Sequence, residues 1–237
     1  MKLRNILVLI CTMMLVSASA YAKDSVNAAV STVTVQGTAH MEVVPDQAII
    51  SIGVTTSAST ATDAQADNAR ITTAVQQKLL ALGISQDKLH TSQYSLYPLY
   101  NESDKNNKMP AVIGYKVNNT VIVTLDDVSM AGKVIDTALG AGANEISGVS
   151  FKKKDELQLK QTVLQSAVKE ATAKAEAIAS ALDKHIVKVL EVNENGISMQ
   201  SPENQRYLLK ADAAVGTPIQ PGNIQVNGSV NLVVEIQ

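Results

Sequence analysis

The chain has 237 residues, 46% of them hydrophobic and 18% charged, with a formal net charge of −2. This is the length of one or two domains and the composition of a globular protein, which excludes disordered and fibrous classes. The charge argues against a nucleic-acid partner, because phosphate binding needs clustered Lys and Arg, and the single Cys excludes a disulfide framework within the chain and Cys-rich zinc sites.

The first 22 residues have the layout of a secretory signal peptide. Lys2 and Arg4 precede an apolar run over 6–16, and Ala20-Tyr21-Ala22 supplies small residues at both positions of a cleavage site. The run is too short for a bilayer core, which takes roughly 20 apolar residues. We therefore expect residues 1–22 to be removed on export.

Cleavage would change the composition and the net charge of the chain. It would remove Cys11, the one thiol, together with Lys2 and Arg4, so the formal charge would change from −2 to −4. No later segment is apolar over the length of a membrane-spanning helix. We expect a soluble exported chain with a linker over 23–30 and a domain over 31–237.

Two strands open the domain. Residues 33–43 alternate apolar and polar side chains, and 48–54 do the same after Pro45-Asp46, a plausible turn. We expect these strands to form an antiparallel hairpin with one buried face.

A helix follows over 59–82, ending at Gly83 in the position of a C-terminal cap. Polar residues, Asn68 among them, are assigned to its outer face. The apolar residues at helical spacing are Ala64, Ile71, Val75, Leu79 and Leu82.

In the middle of the chain, alternating apolar and polar residues predict strands over 89–100 and 113–125, and a polar stretch between them predicts an exposed loop over 101–108. A short helix capped by Asp126 or Asp127 and ending near Leu139 comes next. A fifth strand covers 146–151.

A long helix covers 156–182, and alanines on its buried stripe would let it lie close to a sheet. The stripe is predicted to hold Leu157, Leu164, Val168, Ala171, Ala175, Ile178 and Leu182. A sixth strand follows over 186–192, then a long irregular excursion over 193–222. The chain closes on a strand over 224–236 whose even-numbered residues form one apolar face.

Paired amphipathic strands separated by single helices favour an α+β fold with antiparallel sheets, helices packed on one face and two closely joined sub-domains. The terminal strand offers few charges on its polar face. If it lies at an edge, its unpaired backbone groups would favour a homo-oligomer.

The residues that could serve as metal ligands or catalytic groups are far apart in the sequence. His40 and Glu42 share a polar strand face, but two ligands do not make a metal site. His90 is expected to be partly buried and hydrogen-bonded, and His185 follows the long helix, where a cation suits the helix dipole. Motifs of serine hydrolases, zinc proteases, phosphate loops and dinucleotide-binding folds are missing from the sequence.

Other polar pairs have structural explanations. Asp126-Asp127 and Asp155-Glu156 stand where helices begin, as expected from capping. The run Lys152-Lys153-Lys154 is interpreted as a solvated strand end, with anion docking as the alternative. Of the three residues Tyr94, Tyr97 and Tyr100, one or two are expected in the core and the rest at an interface. No catalytic, cofactor-binding or metal-ligating residue is predicted.

Four local patterns in order resemble the SIMPL-domain family, in particular its bacterial periplasmic members described as oxidative-stress defence proteins. They are Val35-Gln36-Gly37 with the segment 44–48, Ile113-Gly114-Tyr115, the segment 141–151, and the alternating alanines of 171–181. The resemblance covers about 31–237. It implies an α+β domain, export to the periplasm and self-assembly, without an agreed active site to carry over.

Two functions of different classes follow. The first is a non-enzymatic periplasmic protein that self-associates and supports resistance to oxidative or envelope stress. The second is a periplasmic small-molecule or metal-binding protein, or a hydrolase, whose site lies under the 193–222 excursion. Without cysteine, a defence role would be indirect or would act through oxidation of methionine and tyrosine.

Overall fold

A computed structural model describes residues 30–101, 110–201 and 217–237. The predicted signal peptide, nearly all of the linker, most of the predicted loop over 101–108 and residues 202–216 of the predicted excursion lie outside the described residues. No helix within the described ranges is long and apolar enough to cross a bilayer.

Seven strands and three helices follow one another in the predicted order, with two short 3₁₀ turns at Gln86–Lys88 and Val128–Met130 among the described residues. The class is α+β, as predicted. In chain order the elements are β1 (Thr32–Val43), β2 (Gln47–Ala58), α1 (Ala61–Ala81), β3 (Leu89–Tyr100), β4 (Val112–Leu125), α2 (Ala131–Gly140), β5 (Glu145–Lys152), α3 (Glu156–Ala181), β6 (Ile186–Gln200) and β7 (Ile224–Ile236).

The strands form two antiparallel sheets, each with helices on one face. The three-stranded sheet has the order β1-β7-β6 and is covered by α3. The four-stranded sheet has the order β3-β4-β2-β5 and is covered by α1 and α2. Each sheet buries its own aliphatic residues, so the molecule has separate hydrophobic clusters rather than one core.

The predicted hairpin between the first two strands is wrong, because they belong to different sheets. β1 pairs with β7 along its whole length, from Thr32 opposite Glu235 to Val43 opposite Ile224. β2 pairs with β4 and β5. The Asp46 N–H donates to the Lys152 carbonyl, 3.1 Å away, so the short connection is tied to β5 and closes no hairpin turn.

The predicted end of the first helix is confirmed in detail. Gly83 has a φ of +98°, the left-handed conformation that favours glycine. Its N–H donates to the Leu80 carbonyl and that of Ile84 to the Leu79 carbonyl, which is the Schellman pattern of a helix C-terminus. At the other end the Thr60 side chain accepts from the Asp63 N–H.

Asn68 was assigned to the outer face of this helix, and that assignment is wrong, because Asn68 is fully buried. Its Nδ2 donates to the Val54 carbonyl of β2 at 2.8 Å, and its Oδ1 accepts from Thr72 Oγ1. Thr72 in turn accepts from Asn119 of β4. A polar side chain is stable in this place because it ties α1 to the four-stranded sheet by hydrogen bonds.

The long helix buries a narrower stripe than predicted. Only Ala171 and Ala175 of the predicted stripe are fully buried, whereas Leu157 is 68% and Leu182 56% exposed. The buried residues are Val163, Ala167, Ala171, Ala175 and Ala179. Four of these five are alanines, because α3 lies so close to the sheet that a Cβ on Gly37 of β1 would stand 2.8 Å from the Ala171 Cβ.

The C-terminal region departs from prediction in two ways. β6 continues to Gln200, so residues 193–200 are strand and not irregular excursion. β7 lies between β1 and β6 and is hydrogen-bonded on both sides, so it is no edge strand. Its predicted faces are nevertheless right, since the even-numbered residues from Ile224 to Ile236 are buried.

Candidate functional site

The open face of the three-stranded sheet, opposite α3, carries a cleft of about 690 Å³. We call it the polar cleft. Six side chains that line it form two rows across the strands β1, β7 and β6. They are His40, Asn227 and Ser198 in one row and Thr38 and Ser229 in the other, which the bulged residue Asn195 extends on β6.

A bulge in β6 shapes the cleft. The register shifts between Glu194, which lies opposite Val230, and Ile197, which lies opposite Gly228. This stretch of β6 is therefore one residue longer than the stretch of β7 that it faces. Gly196, in the middle of the bulge, has a φ of +91°. Bulges bend a strand and increase its twist, and this one brings Asn195 to the same cleft as Ser198.

His40 is the one ionisable side chain that lines the cleft among the described residues. Its Nδ1 lies 2.8 Å from Asn227 Oδ1, and its Nε2 lies 3.7 Å from Glu42 Oε1. With Nδ1–H donating to the amide oxygen, the other ring nitrogen is directed towards Glu42. His40 and Glu42 therefore share a polar face, as predicted.

The three histidines are not brought together. His90 lies on β3 of the other sheet and is exposed, so the prediction that it is partly buried is wrong. His185 is also exposed, and its backbone pairs with that of Gln237. Within the described ranges no three His, Cys, Asp or Glu residues are grouped as a metal ion would need.

The acidic pairs act as caps and tethers. The Asp127 side chain accepts from the Ser129 N–H at 2.9 Å, and Asp155 accepts from the Gln158 N–H at 3.0 Å, so both cap helical turns as predicted. Asp126 instead binds Lys154 at 2.9 Å and Lys88 at 3.3 Å.

Two of the three consecutive lysines are paired. Lys153 lies 2.8 Å from Asp46, and its hydrogen bond holds the pKa of that carboxyl below the usual 3.8. Lys154, with Lys88, likewise lowers the pKa of Asp126. Because both carboxyls have depressed pKa values, these ion pairs contribute stability above about pH 4 and lose it as the pH falls through the folded-state pKa.

The tyrosines lie on the hairpin of β3 and β4, and the expectation that one or two pack in the core is wrong. Tyr94, Tyr97 and Tyr100 are all exposed. Leu96 and Ile113 are exposed on the same hairpin. Beyond Leu89 no residue of β3 is buried, so apolar side chains of this strand stay uncovered.

The two edges of the three-stranded sheet differ. At the β1 edge, the Thr38 N–H donates to Glu170 of α3, and Lys174 donates to the Gln36 carbonyl at 2.9 Å. Glu170 and Lys174 also pair with each other at 2.9 Å. The helix thus occupies backbone groups that another strand would otherwise use.

The opposite edge is β6, and we call its residues 187–192 the β6 edge segment. Its four aliphatic residues, Val187, Val189, Leu190 and Val192, are each 45–54% exposed. The sequence predicts a strand here but not that it is an edge. A signal for an exposed edge is present in the sequence of this segment, Val-Lys-Val-Leu-Glu-Val. Four of its six positions are apolar, and they do not alternate strictly with polar ones.

Comparison with known proteins covers nearly the whole of the described chain. The model of the SIMPL family, a protein of unknown function (DUF541), matches residues 33–234. The 26 kDa periplasmic immunogenic protein of Brucella melitensis is 29% identical over 211 residues, covering 86% of this chain and 84% of the relative. The uncharacterized protein YggE of Escherichia coli K12 is 27% identical over 213 residues, covering 86% of this chain and 83% of the relative.

Proposed function

This chain belongs to the SIMPL family, and from that membership and its surfaces we propose that it is a non-enzymatic periplasmic protein that works as a homo-oligomer and supports resistance to oxidative or envelope stress. The compartment is supported by the predicted signal peptide and by the Brucella relative, which is named periplasmic. The absence of an enzymatic role is supported by the dispersed histidines and by carboxylates that serve caps and ion pairs.

The observation that carries self-association is the β6 edge segment. An edge strand with exposed aliphatic side chains presents both unpaired backbone groups and apolar surface to a second strand. Burial of that surface is favourable at about 25 cal/mol per Å² of apolar area. The β1 edge of the same sheet is covered by Glu170 and Lys174, so the open edge is the one we expect to pair.

The chemistry of the segment suits pairing with a second copy of itself. Register shifts against β7 between Ile186 and Lys188 and between Val189 and Glu191 put Lys188 and Glu191 on the same face of the strand. A two-fold antiparallel pair of segments would therefore bring the cation of each copy to the side that carries the anion of the other. The other four residues of the segment are aliphatic. Opposite charges and aliphatic pairs across strands are both stabilising, and a two-fold axis is the commonest symmetry of soluble homo-oligomers.

We expect the wild-type chain to be an oligomer at micromolar concentration by light scattering, and Val192→Lys to weaken association at least about tenfold. The reason is that a lysine in an edge strand opposes pairing, and here it would place a charge in the aliphatic surface that the second copy covers. Val192 is half exposed in the single chain, so its fold should survive the change.

The matched control is Ile113→Lys, which places the same charge on an exposed aliphatic position of the β3–β4 hairpin. It should leave the oligomer intact. A wild-type chain with the mass of one copy would refute self-association. Dissociation by Ile113→Lys but not by Val192→Lys would place the interface on the hairpin instead.

The role in stress resistance is tested in a strain that lacks the gene, challenged with peroxide, superoxide and heat. We expect lower survival, restored by the gene with its signal segment 1–22 but not by a gene that starts at Lys23. Equal survival of all strains would contradict the role. Rescue by Val192→Lys as well as by wild type would separate that role from self-association.

The alternative function, a periplasmic small-molecule binder, is favoured by one observation. Asn195 and Ser198, which line the polar cleft, fall within the region 193–222 where such a site was predicted. They stand there as residues of β6, and not of an irregular loop. The metal-binding and hydrolase forms of this alternative draw no comparable support from the described residues.

A further inference from the structure

The lining of the polar cleft is polar but almost without charge. The side chains that face it are amides, hydroxyls and one imidazole, whereas those of Ala39 and Ile197 pack on the α3 side of the sheet. Among the described residues, no Lys, Arg, Asp or Glu lines it. An anionic ligand would meet no Lys or Arg there, and the carboxylates that contact lining residues, Glu42 beside His40 and Glu170 beside Thr38, lie at the margin.

The lining offers donors and acceptors side by side. Asn227 accepts from His40 at 2.8 Å through Oδ1, which leaves its two Nδ2–H groups to donate elsewhere. Asn195 accepts from Asn231 at 3.4 Å, and its own amide hydrogens are likewise directed elsewhere. The hydroxyls of Ser198 and Ser229 can both donate and accept, whereas the Thr38 hydroxyl donates to Glu170 at 3.1 Å and is left to accept. The cleft therefore matches a ligand that also does both.

The spacing of these groups is regular. Asn227 lies opposite His40 on one side and Ser198 on the other, and Ser229 lies opposite Thr38. Neighbouring strands are about 4.8 Å apart, so a row across three strands spans about 10 Å. The ligand should therefore carry hydrogen-bonding groups at short repeated intervals.

The shape of the cleft points to a chain and not to an enclosed small molecule. Its volume of about 690 Å³ is within the roughly 300–1,000 Å³ typical of ligand sites. The cleft lies on an open sheet face, so a longer ligand can continue past it. A peptide fits less well, because its apolar side chains would find no aliphatic side chain among the described residues on this face, since Ala39 and Ile197 pack on the other one.

From these observations we propose that the polar cleft binds an uncharged oligosaccharide, whose closely spaced hydroxyl and amide groups pair with the two rows of side chains. The inference goes beyond the proposed stress role. It is also independent of self-association, since the cleft is on a sheet face and the β6 edge segment is on a sheet edge.

The test is a titration of the purified mature chain with the β-1,4-linked tetramer of N-acetylglucosamine, followed by saturation-transfer NMR on the ligand. We expect saturable binding, weakened about five- to tenfold in Asn227→Ala, because one hydrogen-bonding partner is lost from the middle of a row. Gln225→Ala is the matched control, on the same face of β7 but outside the cleft, and should bind like wild type.

Three results would overturn the proposal. They are no saturable binding of the tetramer, equal affinity of Asn227→Ala and wild type, and equal or tighter binding of N-acetyl-tetraglycine amide, which would indicate a peptide site. The association variant Val192→Lys should bind the tetramer like wild type. The two proposals can therefore fail separately. A monomeric wild-type chain would not contradict tetramer binding, and a lack of tetramer binding would not contradict self-association.

Discussion

Replacing Gly37 with Val is expected to lower the free energy of unfolding by at least about 3 kcal/mol, since overpacking of this kind costs 1–3 kcal/mol or more. A Cβ at this position would stand 2.6 Å from the Ala171 backbone nitrogen and 2.8 Å from its Cβ, and closer still to the Ala167 carbonyl oxygen. All three atoms belong to α3, so no side chain can rotate away. The helix would have to lift from the sheet and expose both sheet and alanine stripe to water.

The control is Gly148→Val in β5, where an added Cβ meets no atom within 4 Å and the φ is not left-handed. It makes the same chemical change within a strand, and we expect its urea midpoint, followed by circular dichroism, to stay close to that of wild type. If the midpoint of Gly37→Val matches that of Gly148→Val, then α3 does not lie where the structure places it.

Val230→Lys is expected to cost about 4 kcal/mol or more, which is enough to unfold a marginally stable domain. Val230 is 1% exposed, on the face of β7 that packs under α3. A lysine there would bury an ammonium group among aliphatic side chains. Thermal unfolding followed by circular dichroism measures the loss.

Ser229→Lys is the matched variant, one residue away on the opposite face of the same strand. It should keep the fold and weaken ligand binding in the polar cleft, which Ser229 lines. Because β7 is central and not an edge, this variant should leave association unchanged. A folded Val230→Lys with an unfolded Ser229→Lys would mean that the two faces are assigned the wrong way round.

Part of the candidate site follows from sequence alone. The alternation of β1 predicts that His40 and Glu42 share the polar face, and they do. The same alternation does not predict that His40 Nδ1 lies 2.8 Å from Asn227 Oδ1. The two residues are far apart in sequence and meet only because β1 pairs with β7. Ser198 was unpredictable for a further reason, since its segment was expected to be irregular.

Several polar and aliphatic assignments failed for a common reason. Helical spacing alone cannot tell a buried polar residue from an exposed one, and Asn68 is buried because Val54 accepts its hydrogen bond. Likewise Leu157 and Leu182 satisfy the apolar spacing of α3 but are exposed. The face of α3 that contacts the sheet is the one that carries alanines. The helix lies so close to Gly37 that larger side chains would not fit between helix and sheet.

The sequence by itself determined the order of strands and helices, the buried face of β7 and the C-terminal ends of the first two helices. These depend on alternation, helical spacing and capping, which act between residues only a few positions apart. The tertiary structure alone decided that β7 is central, that β6 is an open edge and that a polar cleft crosses three strands. Those properties depend on which distant segments become neighbours, and an alternating pattern specifies which face of a strand is buried without specifying its partner.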